Sequence, residues 1–307
     1  MTSQTILRGS SRADLLCIPS IMLGFHPAES VVVVGMHGKR VEFCARLDLV
    51  QSADELRGAI EQILNARDNK PGTNFVLLGF GREVTEVTGV VNHLTSILGD
   101  LVTDAVITNG TRYWNLDNCA PTPQEGIPFE FSASALAAQA VFEGMAVRGS
   151  REEAVAAVMP PPAHERAEIA ERVDQAFARV MRLDLDEAMR LFRGLLESDE
   201  ALTPDDAAEL AVLLQLPECL AEFLAQVTTE SARRAHPRLL QARATADPEC
   251  EPDVLAALAV ACWLAGEGAQ QNECMTQLQE LEPRHPVLLL LEELHHKALP
   301  PSWWDGR

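Results

Sequence analysis

Three consecutive prolines, Pro160, Pro161 and Pro162, separate two stretches of different hydrophobic period. Proline has no N–H and a fixed φ, so neither a helix nor a central strand runs through such a triplet. It forms an extended, semi-rigid link instead. Upstream, short β-branched runs alternate with helical spacings. Downstream there is no convincing strand. The expected organisation is an α/β domain at residues 1–159, a proline linker at 160–163 and an all-helical domain at 164–307. A length of 307 residues suits two cores better than one.

In the upstream half, Ser11-Arg12-Ala13-Asp14 has the pattern of a capping box and opens a short helix through Leu15 and Leu16. Pro19 is expected to interrupt that helix, and Gly24-Phe25-His26-Pro27 to end it. Four valines at 31–34 predict a strand covered on both faces. After the turn His37-Gly38-Lys39, residues 41–49 alternate. Val41, Phe43, Ala45, Leu47 and Leu49 are expected on one face, and Glu42, Cys44, Arg46 and Asp48 on the other. A second capping box, Ser52-Ala53-Asp54-Glu55, precedes Leu56, Ile60, Ile63 and Leu64 at helical spacing. Residues 75–78 predict a third strand. Val87, Val91, Leu94 and Leu98 mark another helix, closed by Gly99. Residues 102–108 and 111–116 predict two strands joined at Asn109-Gly110, a strong hairpin signal. Together these predict a mixed five-stranded sheet with helices packed on it. Residues 117–131 read as a loop, and 134–145 and 152–158 as helical.

In the downstream half, helices are expected at 164–182, 186–197, 204–215, 217–227, 236–245, 252–265, 268–281 and 286–297. Thr203-Pro204-Asp205-Asp206 supplies an N-cap, a proline at the first helical position and acids in the first turn. Trp263-Leu264-Ala265-Gly266, Leu278, Leu281 and Glu282-Pro283 resemble one tetratricopeptide repeat, so the domain reads as partly tetratricopeptide-like. A generic helical hairpin fits that pattern equally, since three repeats are normally needed. The Trp303-Trp304 pair near the end is expected to pack on its own chain.

Charge limits the partners. There are 25 Lys/Arg and 45 Asp/Glu, a net of -20. Residues 1–150 carry 11 and 16, a net of -5, and residues 151–307 carry 14 and 29, a net of -15. Such a chain repels phosphate backbones, which argues against a nucleic-acid partner. Its basic stretch, Arg233, Arg234, Arg238 and Arg243, reads as a solvated helix face. Seven widely spaced cysteines with no CxxC point to a reduced, cytoplasmic setting and exclude a zinc ribbon. No metal and no cofactor is expected. The start lacks a charged segment followed by an apolar one, so no signal peptide is expected. Apolar runs fall short of the roughly 18 residues that a membrane span needs.

The segments Ala13-Asp14-Leu15-Leu16, Leu23-Gly24-Phe25-His26-Pro27 and Ser30-Val31-Val32-Val33-Val34-Gly35 resemble the domain-of-unknown-function family 4192, found mainly in actinobacteria and their phages. Ala45-Arg46-Leu47-Asp48-Leu49, Tyr113-Trp114 and Leu299-Pro300-Pro301 agree with it. The resemblance spans nearly the whole chain and implies a two-part architecture and a cytoplasmic location. It implies no activity. Members often carry several cysteines after the aromatic pair, where this chain has only Cys119, so no metal site is carried over.

Candidate binding residues fall in three places. Gly24, Phe25, His26 and Pro27 form the signature turn, where an imidazole could bind an anion or move a proton near neutral pH. Arg46 and Asp48 lie two apart on one strand, either as a solvated ion pair on an edge or as a pocket wall. Gly79, Gly81 and Arg82 follow a strand and precede a helix, where glycines let a phosphate approach backbone N–H groups. HExxH, GxSxG and P-loop motifs are all absent, and neither Ser20 nor Ser30 has an identifiable base. Catalytic residues are therefore unassigned. The favoured expectation is a non-catalytic interaction or adaptor protein, whose acidic helical domain binds another, basic protein. The alternative is a small-molecule sensor or hydrolase-like enzyme with a pocket around His26, Arg46 and Asp48.

Overall fold

The computed structural model describes Gly9, residues 11–116 and residues 122–306. Cys119 lies outside them. The chain forms two compact units. Met1–Glu153 and His296–Ala298 make the first; Ala154–His295 and Leu299–Arg307 make the second.

Among the described residues, the first unit holds a mixed sheet of six strands. β1 (Ser30–His37), β2 (Arg40–Asp48), β3 (Thr73–Phe80), β4 (Val102–Thr108), β5 (Arg112–Asn115) and β6 (Ile127–Pro128) lie in the order β2-β1-β3-β4-β5-β6. Only β3 and β4 are parallel neighbours, joined through helix α3 (Val84–Leu98). Helix α1 (Arg12–Leu23) lies on one face, over a cluster of Val32, Val34, Val76, Leu78 and Val106. α2 (Ala53–Asp68) and α3 cover the other face, over Val31, Val33, Phe75, Leu77 and Ile107. Burial on both faces explains why all four valines of β1 are apolar.

Local signals start the helices. Ser11 and Asp14 form the reciprocal capping box of α1, and Ser52 and Glu55 that of α2. Asp14 is buried and serves twice. Its other oxygen accepts the Ser134 hydroxyl at 2.8 Å, and Ser134 in turn caps helix α4 (Ala135–Phe142). One carboxylate thus ties two helix N-termini together.

Four features differ from the expectations. The sheet has a sixth strand because Ile127 and Pro128 pair with Tyr113 and Arg112. Two residues carry no period, and proline is tolerated there because β6 is an edge. Pro19 does not interrupt α1, which runs on to Leu23 with Pro19 buried inside it. A β-bulge opposite Gly35 and Met36 resets the register of β2. Val41 therefore packs with Cys44 on the α1 face, not with Phe43 and Ala45. The β4–β5 turn is centred one residue on, at Gly110-Thr111, with Asn109 N–H bonded to the Arg112 carbonyl. Gly110 has φ +93° and Thr111 has no positive φ, the type II′ pattern.

The second unit is helical: α6 (Arg166–Val180), α7 (Leu185–Glu197), α8 (Pro204–Leu214), α9 (Pro217–Gln226), α10 (Thr229–Ala244), α11 (Glu251–Ala265), α12 (Gly268–Leu281), α13 (Pro286–His296) and α14 (Pro301–Trp304). The short helix α5 (Arg151–Val155) spans the division point. α11 is buried all round, with every residue from Val254 to Leu264 inside. Such a helix has no polar face because it is the centre of the core. Trp304 packs edge-on against Trp263 and donates its indole N–H to the Val227 carbonyl at 3.0 Å.

α10 begins seven residues earlier than expected and runs through Pro237. The Thr228–Ser231 capping box sets its start, and Ala232, Ala235, Leu239 and Ala242 bury one continuous face across the proline. Packing there outweighs the ~3 kcal/mol that an internal proline costs. The basic stretch on this helix is divided: Arg233 and Arg234 are exposed, as a solvated face requires, whereas Arg238 and Arg243 are tied to the protein. Arg238 donates twice to the Ser198 carbonyl. Arg243, only 1% exposed, donates to the Val158 carbonyl, to Glu251 and to Gln277.

Among the described residues, no helix is long and apolar enough to cross a membrane, and no three metal-binding side chains converge.

Candidate functional site

The sheet order decides where a site can form. β3 and β4 are parallel, so their C-terminal ends lie side by side. β1 runs antiparallel to β3, which brings its N-terminal end to the same edge, with Ser30 opposite Phe80. Beyond the carboxyl ends of parallel strands is where open α/β sheets form ligand crevices. A cavity of about 370 Å³ lies there.

Four separate segments and α1 build it. His26, Pro27, Ala28 and Glu29 lead into β1, and Phe80, Gly81 and Arg82 leave β3. Thr108, Asn109 and Gly110 turn out of β4. Leu16 and Ser20 come from α1, and Phe129 and Phe131 from the chain after β6. The lining is mixed: Leu16, Pro27, Phe80, Phe129 and Phe131 are apolar, and Ser20, His26, Glu29, Arg82, Thr108 and Asn109 are polar.

His26 is the best-placed polar group. Its ring stands edge-on to Phe131 with centroids 4.5 Å apart, and its Nδ1 lies 3.1 Å from the Ser20 hydroxyl. Burial lowers its pKa, so the ring is neutral at pH 7. Its backbone is fixed from outside. Gly24 ends α1 at φ +76°, donating to the Ser20 carbonyl. Arg148 then clamps the next residues: His26 N–H donates to the Arg148 carbonyl, and Arg148 N–H to the Gly24 carbonyl. Phe25 is buried. Of the signature turn, His26 and Pro27 line the cavity; Gly24 and Phe25 set their path.

Arg46 and Asp48 do not line it. β2 is an edge strand, and the two form an ion pair at 2.7 Å whose Asp48 side chain is 64% exposed. Arg46 also donates to the Ala28 carbonyl at 3.3 Å, so the pair props the turn rather than facing the cavity.

Gly79 and Gly81 have a packing explanation. A Cβ at Gly79 would lie 2.4 Å from Val87 Cγ1 and 2.9 Å from Ile107 Cγ2. One at Gly81 would lie 2.7 Å from Val87 Cγ2 and 3.0 Å from Glu29 Oε2. Absent side chains let α3 sit directly on the sheet. Gly81 and Arg82 still line the cavity, whereas Gly79 does not.

Sequence reading missed Ser20, Glu29, Thr108, Asn109, Phe129 and Phe131. Ser20 does have an imidazole beside it, contrary to expectation. The thiols nearby offer no nucleophile: burial raises the Cys17 pKa and pushes Cys44 up to about 12.

The model of the family described as "Domain of unknown function (DUF4192)" matches residues 14–302. No curated protein and no solved structure matches the chain. A match over nearly the whole chain places it in that family: this protein belongs to DUF4192.

Proposed function

We propose that the α/β unit binds a small ligand in the cavity beyond β3 and β4, without catalysing its conversion. The cavity itself carries the reading. At about 370 Å³ it lies within the roughly 300–1,000 Å³ of small-molecule sites, and its lining sets polar groups among aromatic and aliphatic side chains. Neutral His26 is suited to accept or donate one hydrogen bond there. Its ring has a hydrogen bond only to Ser20 among the described residues, and no carboxylate orients it as a base. This reverses the preference drawn from sequence, where no cavity was visible.

Ligand-observed NMR with a fragment library tests it. Fragments should bind, and should lose their signal in Ala28→Trp, which places a ring in the exposed mouth. Absence of any bound fragment, or equal binding to Ala28→Trp, would refute the reading.

A groove in the helical unit favours a second role. Met275 and Leu288 lie in it beside Glu280 and Glu292. A groove that sets two apolar side chains beside two carboxylates, in a half with net charge -15, suits a Lys/Arg-bearing segment of a partner protein. In this reading α11, α12 and α13 act as one tetratricopeptide-like unit. Capture of a partner at low salt should fall in Glu280→Lys with Glu292→Lys. Unchanged capture would remove the groove from consideration.

A further inference from the structure

The inference concerns the charge of the ligand and rests on the cavity reading above. From the geometry of Glu29 we propose that the cavity selects neutral or cationic planar molecules and rejects anions, with Glu29 as the specificity-determining residue. The loop between β3 and α3 is where a phosphate or carboxylate would meet backbone N–H groups. One of those N–H groups, that of Arg82, is already taken by a carboxylate. Glu29 Oε1 accepts the Arg82 N–H at 3.1 Å. Its other oxygen lies where a Gly81 side chain would start, 3.0 Å from an ideal Cβ. The backbone also commits to this arrangement, since Glu29 has φ +42°, a conformation few non-glycine residues adopt. Leu49 N–H bonds to the Glu29 carbonyl and holds the residue from the β2 side.

Arg82 is the opposing charge on the rim. Both side chains are exposed, and the Glu29 carboxylate is the one held in place by a hydrogen bond, from the Arg82 backbone N–H. A fixed charge acts on a ligand without the cost of being ordered first. Among the other lining residues are four rings, those of Phe80, Phe129, Phe131 and His26, which favour a flat ligand body.

Three isosteric probes separate charge from shape: benzamidine, benzamide and benzoate. Dissociation constants are measured by ligand-observed NMR titration on the full chain and on Glu29→Gln. The expected order is benzamidine tightest and benzoate weakest, with about tenfold between them for a charge at the partly solvated rim. Glu29→Gln should collapse that ratio while leaving benzamide unchanged. Benzoate binding as tightly as benzamidine overturns the proposal, as does a ratio that survives Glu29→Gln. If other fragments occupy the cavity but none of these three does, selection for planar molecules is wrong and the cavity reading stands. If nothing occupies it, both fall.

Discussion

A methyl group added at Gly79 separates two accounts of the glycines that follow β3. If they exist to admit a ligand, Gly79→Ala weakens binding and spares stability. The packing account predicts the opposite. The new Cβ would lie 2.4 Å from Val87 Cγ1, 2.9 Å from Ile107 Cγ2 and 3.1 Å from Val91 Cγ2. All three neighbours are buried β-branched side chains with few rotamers to escape into. Gly79 has no positive φ, so the cost is steric, not conformational. Overpacking of this kind costs about 3 kcal/mol, at the upper end of the usual range. Val87→Ala alone removes two methyl groups and costs about 2 kcal/mol. Independent effects would sum to about 5 kcal/mol, whereas relief of the clash predicts about 3 kcal/mol for the double variant, a coupling of about 2 kcal/mol. Amide hydrogen exchange on β1 and β3 peptides reads this unit by itself. Additive costs would refute the packing argument, as would a Gly79→Ala that is as stable as the parent.

Three further outcomes follow from the same structure. Arg243→Met should destabilise the helical unit by about 3–5 kcal/mol, because it strands the Glu251 carboxylate and the Gln277 amide oxygen; thermal unfolding checks this, and Arg243→Lys should not rescue it. Ser52→Ala removes the capping box of α2 and should cost about 1 kcal/mol by urea unfolding, with the loss confined to the α/β unit. Burial lowers the pKa of His26 and of His295, whose ring is bonded to Gln271, below the ordinary 6.5. Both are therefore neutral when folded, and their contribution is intact above pH 6.5 and lost as pH falls through the folded values. Denaturation midpoints should thus decline on acidification from pH 7, before the carboxylates Glu42 and Glu222, held below 4.5 by Lys70 and Arg193, begin to lose theirs; His26→Asn with His295→Asn should flatten the first decline.

How much was legible depended on whether the signal was local. The valines of β1 and the capping boxes at Ser11, Ser52 and Thr203 were readable because a helix start or a doubly buried strand is written in consecutive residues. The bulge in β2 was not, since its cause is the register against β1. Pro19 and Pro237 misled for a related reason: the packing that carries α1 and α10 past them comes from other elements. The cavity was legible only in part. His26, Pro27, Gly81 and Arg82 meet in it, but Thr108, Phe129 and Phe131 reach it only through the sheet order. Arg46 and Asp48 shared a face as expected, yet the edge position of β2 left them outside.

The two rims of the sheet have a consequence for behaviour at high concentration. An unpaired strand is a template on which another chain can add its own hydrogen bonds. Here one rim is β2, which carries Arg40, Glu42, Arg46 and Asp48, and the other is a two-residue strand ending in Pro128. A neighbouring strand would meet ionic side chains on one side and a missing donor on the other. The molecule can therefore hold an almost wholly apolar central strand at the heart of its sheet and still resist growing into ribbons of its own copies.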